Sequence, residues 1–234
     1  MEALSYCDSF VFVDDKQLDI IAKKVAKSIK YLMLPNAVDL KKLATFEKNN
    51  QQEEYIVVSR HLFKKNGVHI AIQAFNEAKL PDNVKMLILG MGDEFDNLRQ
   101  LVGNLKLSDR ILFKGSLKFE DSINYTINAK MALVPSIPLG DYIEATSLSM
   151  LEAMALGTPL IASNIGGLKQ VLENTNSGIL VEPNDIQGLA KAINELYFDQ
   201  DLSAFLAKNA RKLIVEKYSS DTWLEKKVNF LSNY

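Results

Sequence analysis

Two carboxylates, Glu144 and Glu152, stand eight residues apart in the stretch EATSLSMLEAMALGTP, around a hydroxyl-bearing turn that opens an apolar helix. Gly157 and Pro159 stop that helix and Thr146 or Ser147 can start it, which predicts a span of about Leu148 to Leu156. Leu148, Leu151, Met154 and Ala155 are expected to form its buried face, with Glu152 on a different side. The free N–H groups of its first turn, with the helix dipole behind them, suit an anion such as phosphate. Carboxylates repel phosphate at close range, so the two glutamates make sense as acceptors for hydroxyls. A nucleotide sugar offers both kinds of group. The plainer alternative is that Glu144 favours the dipole and Glu152 lies on a solvated face.

A second candidate group lies in SRHLFKKNG, directly after the apolar run YIVVS. Arg60 and Lys65 are expected in a strand-to-helix loop, where two cations can converge on a diphosphate in place of a metal, while Lys64 points to solvent. A basic surface loop is the competing reading. Gly90 and Gly92 in LILGMGDE lack the third glycine of the dinucleotide fingerprint, so a tight turn explains them as well. The NIGGL turn, Asn164 to Leu168, reads first as a strand-to-helix connection. His69 is expected to be solvated, on the polar face of a helix whose apolar face carries Val68, Ala71, Ile72, Phe75 and Ala78.

The elements that must hold these residues show in the apolar runs FVFV, YIVVS, KMLILG, RILFKG, MALVPS, PLIAS and GILVEP, with helical patterns between them. Such runs predict an α/β fold, a doubly wound, Rossmann-like parallel sheet covered on both faces. The candidate anion site then falls at the carboxyl edge of the sheet. Ser9 to Asn36 reads as a small strand, helix and strand, the helix carrying Leu18, Ile21, Ala22, Val25 and Ile29 at helical spacing. One such unit does not bury both faces of a sheet. The polar FEKNNQQEE separates it from the larger domain as a linker. From Leu189 the chain is expected to be helical to its end, interrupted at KYSSDTW, where Ser219 to Asp221 cap a last helix through Leu231.

With 234 residues, a formal net charge of -2, 47% hydrophobic and 24% charged residues, the chain has the profile of a soluble globular protein of one or two domains. No Lys/Arg stripe suits nucleic acid, and no nucleic-acid partner is expected. A single cysteine, Cys7, excludes an internal disulfide and multi-cysteine metal sites. No apolar run approaches bilayer length and no signal peptide is evident, which makes the cytoplasm the expected location.

The segment PSIPLGDYIEATSLSMLEAMALGTPLIASNIGGLKQVLENTNSGILVEPND resembles the donor-binding, C-terminal half of the group 1 glycosyltransferases, retaining enzymes of the GT-B fold. Glu144 and Glu152 fit their E-x7-E motif, and Arg60, Lys65 and Gly67 fit an R-x4-K-N-G loop. The likeness runs from about Tyr55 to the C-terminus, and LPNAVDLKKL resembles the interdomain segment. It implies metal-independent transfer of a hexose from a nucleotide diphosphate sugar to an acceptor hydroxyl, with retention and without a cofactor. It also implies roles by position. Glu144 would contact the donor sugar and support charge at the anomeric centre, and Glu152 would hold the ribose. Arg60 and Lys65 would neutralise the leaving diphosphate, backbone N–H groups of Thr146, Ser147 and Leu148 would bind its oxygens, and the main chain near Leu117 would meet the base.

By the same likeness, residues 1–50 are the remnant of an acceptor domain plus linker, 51–218 the donor-binding domain and 219–234 a crossover helix. The implied partners are the nucleotide-sugar donor, a sugar or lipid-linked sugar acceptor, and an acceptor-domain partner or a second copy joined through the C-terminal helix. The setting is polysaccharide biosynthesis in the cytoplasm, with attachment at the membrane surface as a variant. Two departures stand out. Ala145 to Ser147 replace glycines found in many relatives, and most of the acceptor half is missing. The alternatives are a non-catalytic nucleotide-sugar-binding module or split-enzyme subunit, and a GT-B epimerase or phosphorylase. A dinucleotide-dependent oxidoreductase fits least.

Overall fold

The computed structural model describes residues 7–13, 15–24, 30–49, 53–140 and 144–232. The first unit holds β1 (Ser9–Phe12), α1 (Asp15–Ala22) and β2 (Lys30–Met33), with β1 and β2 paired in parallel as a separate two-stranded sheet. Val25 and Ile29 of the expected helix lie outside the described residues. A short helix α2 (Leu40–Leu43) follows, capped by the Asp39 carboxylate on the amide of Lys42.

The larger sheet is built from β3 (Tyr55–Ser59), β4 (Lys85–Leu89), β5 (Ile111–Gly115), β6 (Met131–Val134), β7 (Leu160–Ser163) and β8 (Ile179–Val181). All pairs are parallel, in the order β5-β4-β3-β6-β7-β8. Each expected run is a strand, and the α/β, Rossmann-like sheet is the observed fold. Alternation decides which core each residue enters: Ile56 and Val58 face one, Tyr55 and Val57 the other. The first core is closed by α3 (Val68–Glu77), α4 (Phe95–Asn104) and α8 (Ile186–Phe198). The second is closed by α5 (Phe119–Asn128), α6 (Leu148–Ala155), α7 (Gly166–Leu172) and α9 (Gln200–Lys217). Burial on both faces explains why the strands read as unbroken apolar runs.

The chain winds outward in opposite directions from β3 and β6, so their carboxyl ends open at the switch point where such sheets bind ligands. The segment before the sheet is anchored to it. Val38 and Leu43 belong to the second core, Asn49 donates its amide to Asn128 Oδ1 at 2.7 Å, and Phe46 packs edge-on against Phe119. Val38 also accepts from the amide of Ser220 and donates to Tyr218 O, each at 2.9 Å, which ties this segment to the C-terminal turn.

The C-terminal stretch departs from the expected pattern in one place. Asp199 breaks it, accepting from the amide of Leu202 at 2.8 Å to start α9 as a new helix. The expected interruption further on holds: Ser219 Oγ accepts from the amide of Thr222 at 3.2 Å, and α10 (Ser220–Ser232) follows. This last helix has no buried residue, and Leu224, Val228 and Leu231 are half exposed. It reaches back to the first unit, where Lys30 Nζ stands 5.7 Å from the ring centroid of Phe230. His69 is half-buried rather than solvated, and burial holds its pKa below the usual imidazole value. No described helix is long and apolar enough to cross a membrane.

Candidate functional site

Arg60 follows the last residue of β3 and so leaves the sheet at the switch point. Its guanidinium is 8% exposed and meets four side chains from three segments. Nη1 donates to Ser147 Oγ at 2.6 Å; Nη2 lies 2.7 Å from Asn66 Oδ1, 3.0 Å from Ser136 Oγ and 2.9 Å from Glu144 Oε2. Glu144, 10% exposed, also accepts from Ser136 Oγ at 3.2 Å. Charge attraction is strengthened here by the exclusion of water. The Arg60 Nε is buried and has no hydrogen-bond partner among the described residues.

The loop that carries Arg60 is shaped by glycine at two points. Gly90 has φ +137°, and a Cβ there would stand 2.0 Å from Arg60 O; Gly67 has φ +64°, and a Cβ there would stand 1.8 Å from Pro135 O. Gly67 thus lets the single 3-10 turn Lys64–Asn66 close against the segment after β6, where Ile137 donates its amide to Lys65 O at 2.8 Å. Lys64 is exposed as expected and Lys65 is half-buried in the cleft wall.

Ser147 caps α6, its Oγ accepting from the amide of Met150 at 3.4 Å as well as from Arg60. The amides of Thr146, Ser147 and Leu148 meet no acceptor among the described residues, as befits the open end of a helix. Asn36 Nδ2 donates to Thr146 O at 2.6 Å, fixing this turn from the other side. The NIGGL turn is more than a connection: Gly167 donates its amide to Glu144 O at 2.9 Å.

A cleft of about 700 Å³ results, lined among others by Asn36, Arg60, Lys65, Leu117, Glu144 and Ser147. Leu148 corrects an expectation. It is 50% exposed rather than part of the buried face, which consists of Met150, Leu151, Ala153, Met154 and Ala155. Glu152 follows it one turn later, so the two share a helix face instead of lying on different sides. Leu148 lines both the cleft and a neighbouring recess of about 150 Å³, which Glu152, Lys42 and Phe119 also line. Lys42 Nζ stands 3.8 Å from the Phe119 ring centroid and 3.7 Å from Glu120 Oε1. The Glu152 carboxylate has no hydrogen-bond or ion-pair partner among the described residues, and burial pushes its pKa up to about 7, partly offset by Lys42.

The structure therefore brings Arg60, Lys65, Leu117, Glu144, Thr146, Ser147 and Leu148 to one cleft and sets Glu152 beside it. Sequence reasoning missed Asn36, Ser136 and Asn66, all polar positions buried or half-buried at the site. Asn66 lay within the K-N-G pattern and Ser136 at the end of a strand run, which is the only sign the sequence offers of either. Among the described residues no group of three or more His, Cys, Asp and Glu side chains is placed to hold a metal ion.

The family described as glycosyl transferases group 1 matches residues 41–213. The chain belongs to this family. Relatives include N-acetyl-alpha-D-glucosaminyl L-malate synthase of Bacillus anthracis, 30% identical over 74% of this chain and 43% of that protein. Another is the lipopolysaccharide core biosynthesis glycosyltransferase LpsE of Rhizobium meliloti, 31% identical over 79% of this chain and 50% of that protein. The chain thus spans about half the length of these curated relatives. Among solved structures, Anabaena HepE in complex with UDP and glucose superposes with a TM-score of 0.85, at 20% identity, over 99% of this chain and 65% of that one. Sucrose-phosphate synthase from Thermosynechococcus elongatus gives 0.83, at 24% identity, over 99% of this chain and 59% of that one. At these identities the superpositions speak for the fold, including the β1–β2 unit.

Proposed function

We propose that this chain is the donor-binding half of a retaining glycosyltransferase and takes a nucleotide diphosphate sugar in the cleft. The observation that carries the reading is the convergence of Arg60, Lys65 and the unpartnered amides at the start of α6 on one sheet edge, with a carboxylate on either side of Leu148. A diphosphate matches the cations and amides; hydroxyls match the carboxylates. Glu144 receives the sugar hydroxyls and supports charge at the anomeric centre, Glu152 receives the ribose, and the main chain at Leu117 receives the base. Negative charge growing on the leaving diphosphate meets donors already in place, which is electrostatic catalysis without a metal.

The coarser part of the reading also draws on relatives: the HepE structure holds UDP and glucose, and the Bacillus anthracis protein is an N-acetyl-alpha-D-glucosaminyl L-malate synthase. We assign residues 51–218 to the donor domain and 1–50 and 219–234 to the junction with an acceptor-binding half. In support, β1 and β2 pair only with each other among the described residues, and α10 has no buried residue. The hexose acceptor is then a sugar or lipid-linked sugar presented from that half.

A thermal-shift screen of UDP, GDP, ADP and CDP tests the reading, since a ligand at a hundred times its Kd stabilises by about 2.7 kcal/mol. At least one nucleoside diphosphate should raise Tm by roughly 2–5 °C. No shift with any of them, together with no heat of binding by calorimetry, rejects it.

A further inference from the structure

We infer that Asn66 is a positioning residue for Arg60, holding the guanidinium in place when Glu144 lets go of it. The inference rests on the donor-site reading above. In the structure the Nη2 group faces three oxygens, those of Asn66, Ser136 and Glu144, at 2.7, 3.0 and 2.9 Å. It carries two N–H bonds, so one acceptor is in surplus. Two of the acceptors are neutral and one is a carboxylate. Neutral oxygens direct a cation without cancelling its charge, whereas Glu144 cancels it.

A diphosphate entering the cleft repels Glu144 and attracts Arg60. With the carboxylate withdrawn, the two N–H bonds of Nη2 match Asn66 Oδ1 and Ser136 Oγ one to one. Nη1 keeps one N–H beyond the one given to Ser147, and the uncancelled charge faces the ligand. The exchange frees Glu144 for a hydroxyl at the moment the diphosphate arrives.

Asn66 is suited to this task because its own orientation is fixed. It is 5% exposed, its Nδ2 donates to His61 O at 2.6 Å, and its amide donates to Phe63 O at 2.9 Å. Turning the side-chain amide over would set an NH2 group against the guanidinium. Ser136, in contrast, touches Glu144 as well and must adjust when that carboxylate moves.

A double-mutant cycle separates this role from a purely structural one, in which Asn66 would only tie its loop together through His61. The affinities of UDP and GDP, and of uridine and guanosine, are measured for the wild type, Asn66→Ala, Arg60→Ala and the double variant. Asn66→Ala should weaken the diphosphates about tenfold and leave the nucleosides unchanged. On the Arg60→Ala background the same change should cost less than about twofold. Equal losses on both backgrounds, weakening of the nucleosides, or no loss at all overturns the assignment while leaving the donor site standing. Absence of diphosphate binding by the wild type overturns both. If Asn66→Ala does not fold, as judged by circular dichroism, the cycle is read from Asn66→Ser with the same expectations.

Discussion

The amide of Gly167 donates to the carbonyl of Glu144 at 2.9 Å, and a Cβ on Gly167 would stand 2.5 Å from both Ala145 C and Thr146 N. The start of α7 therefore abuts the loop that delivers Glu144 and the amides of α6. Gly167→Ala must push that loop away, because backbone has nowhere cheap to move. The variant should lose about 1–3 kcal/mol of stability and bind the sugar donor at least tenfold more weakly, as read by denaturant melts and calorimetry.

Glu152 sets a pH dependence whose sign follows from its position. Its pKa is raised from 4.5 to about 7, so the folded protein holds the proton more tightly than the unfolded chain does. The stability it contributes is full below pH 4.5 and is lost as pH rises through 7. Glu152→Gln should flatten this slope and exceed the wild type by about 1–3 kcal/mol above pH 7. On the donor-site reading ribose hydroxyls donate to the charged form of Glu152, so nucleotide affinity should rise more steeply through pH 7 in the wild type than in Glu152→Gln, the terminal phosphate of the ligand titrating alike in both. Urea titrations and calorimetry from pH 5 to pH 9 read both slopes.

Leu148 and Leu151 make a contrasting pair on α6. Leu151 is fully buried, and Leu151→Ala should cost about 2–5 kcal/mol through the cavity it leaves. Leu148→Ala should change stability by less than about 0.5 kcal/mol. It should instead weaken nucleotide binding severalfold, by about 1 kcal/mol of lost apolar contact between the two cavities. Chemical denaturation and calorimetry on the same two proteins decide it.

The same pair shows what the sequence revealed and what it concealed. Spacing located α6 and its stop at Gly157 and narrowed its cap to Thr146 or Ser147, of which Ser147 is the cap, because those signals are local. It misplaced Leu148, since an apolar residue at the rim of a cleft looks like any other apolar residue on a helix. The six strands of the larger sheet were legible because burial on both faces leaves them as largely apolar runs. Ser136 was not, because Arg60 reaches it only through the pairing of β3 with β6, a tertiary event, and Asn66 was not, because spacing does not show that the loop after β3 folds back on Arg60. The break at Asp199 was masked by the apolar residues on both sides of it.

Glu144→Ala removes the carboxylate that pairs with Arg60, its ion-pair partner among the described residues. A buried guanidinium left with neutral partners should cost about 1–3 kcal/mol of stability. Affinity for a free nucleoside diphosphate should nevertheless hold or improve, while the nucleotide sugar loses its advantage over it. Comparing the two ligands by calorimetry in wild type and variant reads the difference directly; equal losses for both contradict the division of roles.

A crystal structure of the chain soaked with the best-binding nucleoside diphosphate is the most direct measurement. Phosphate oxygens should lie about 3 Å from the Arg60 guanidinium and the amides of Ser147 and Leu148, with the ribose beside Glu152. A diphosphate bound elsewhere, with Arg60 still paired to Glu144, would contradict the assignment of this cleft as the donor site.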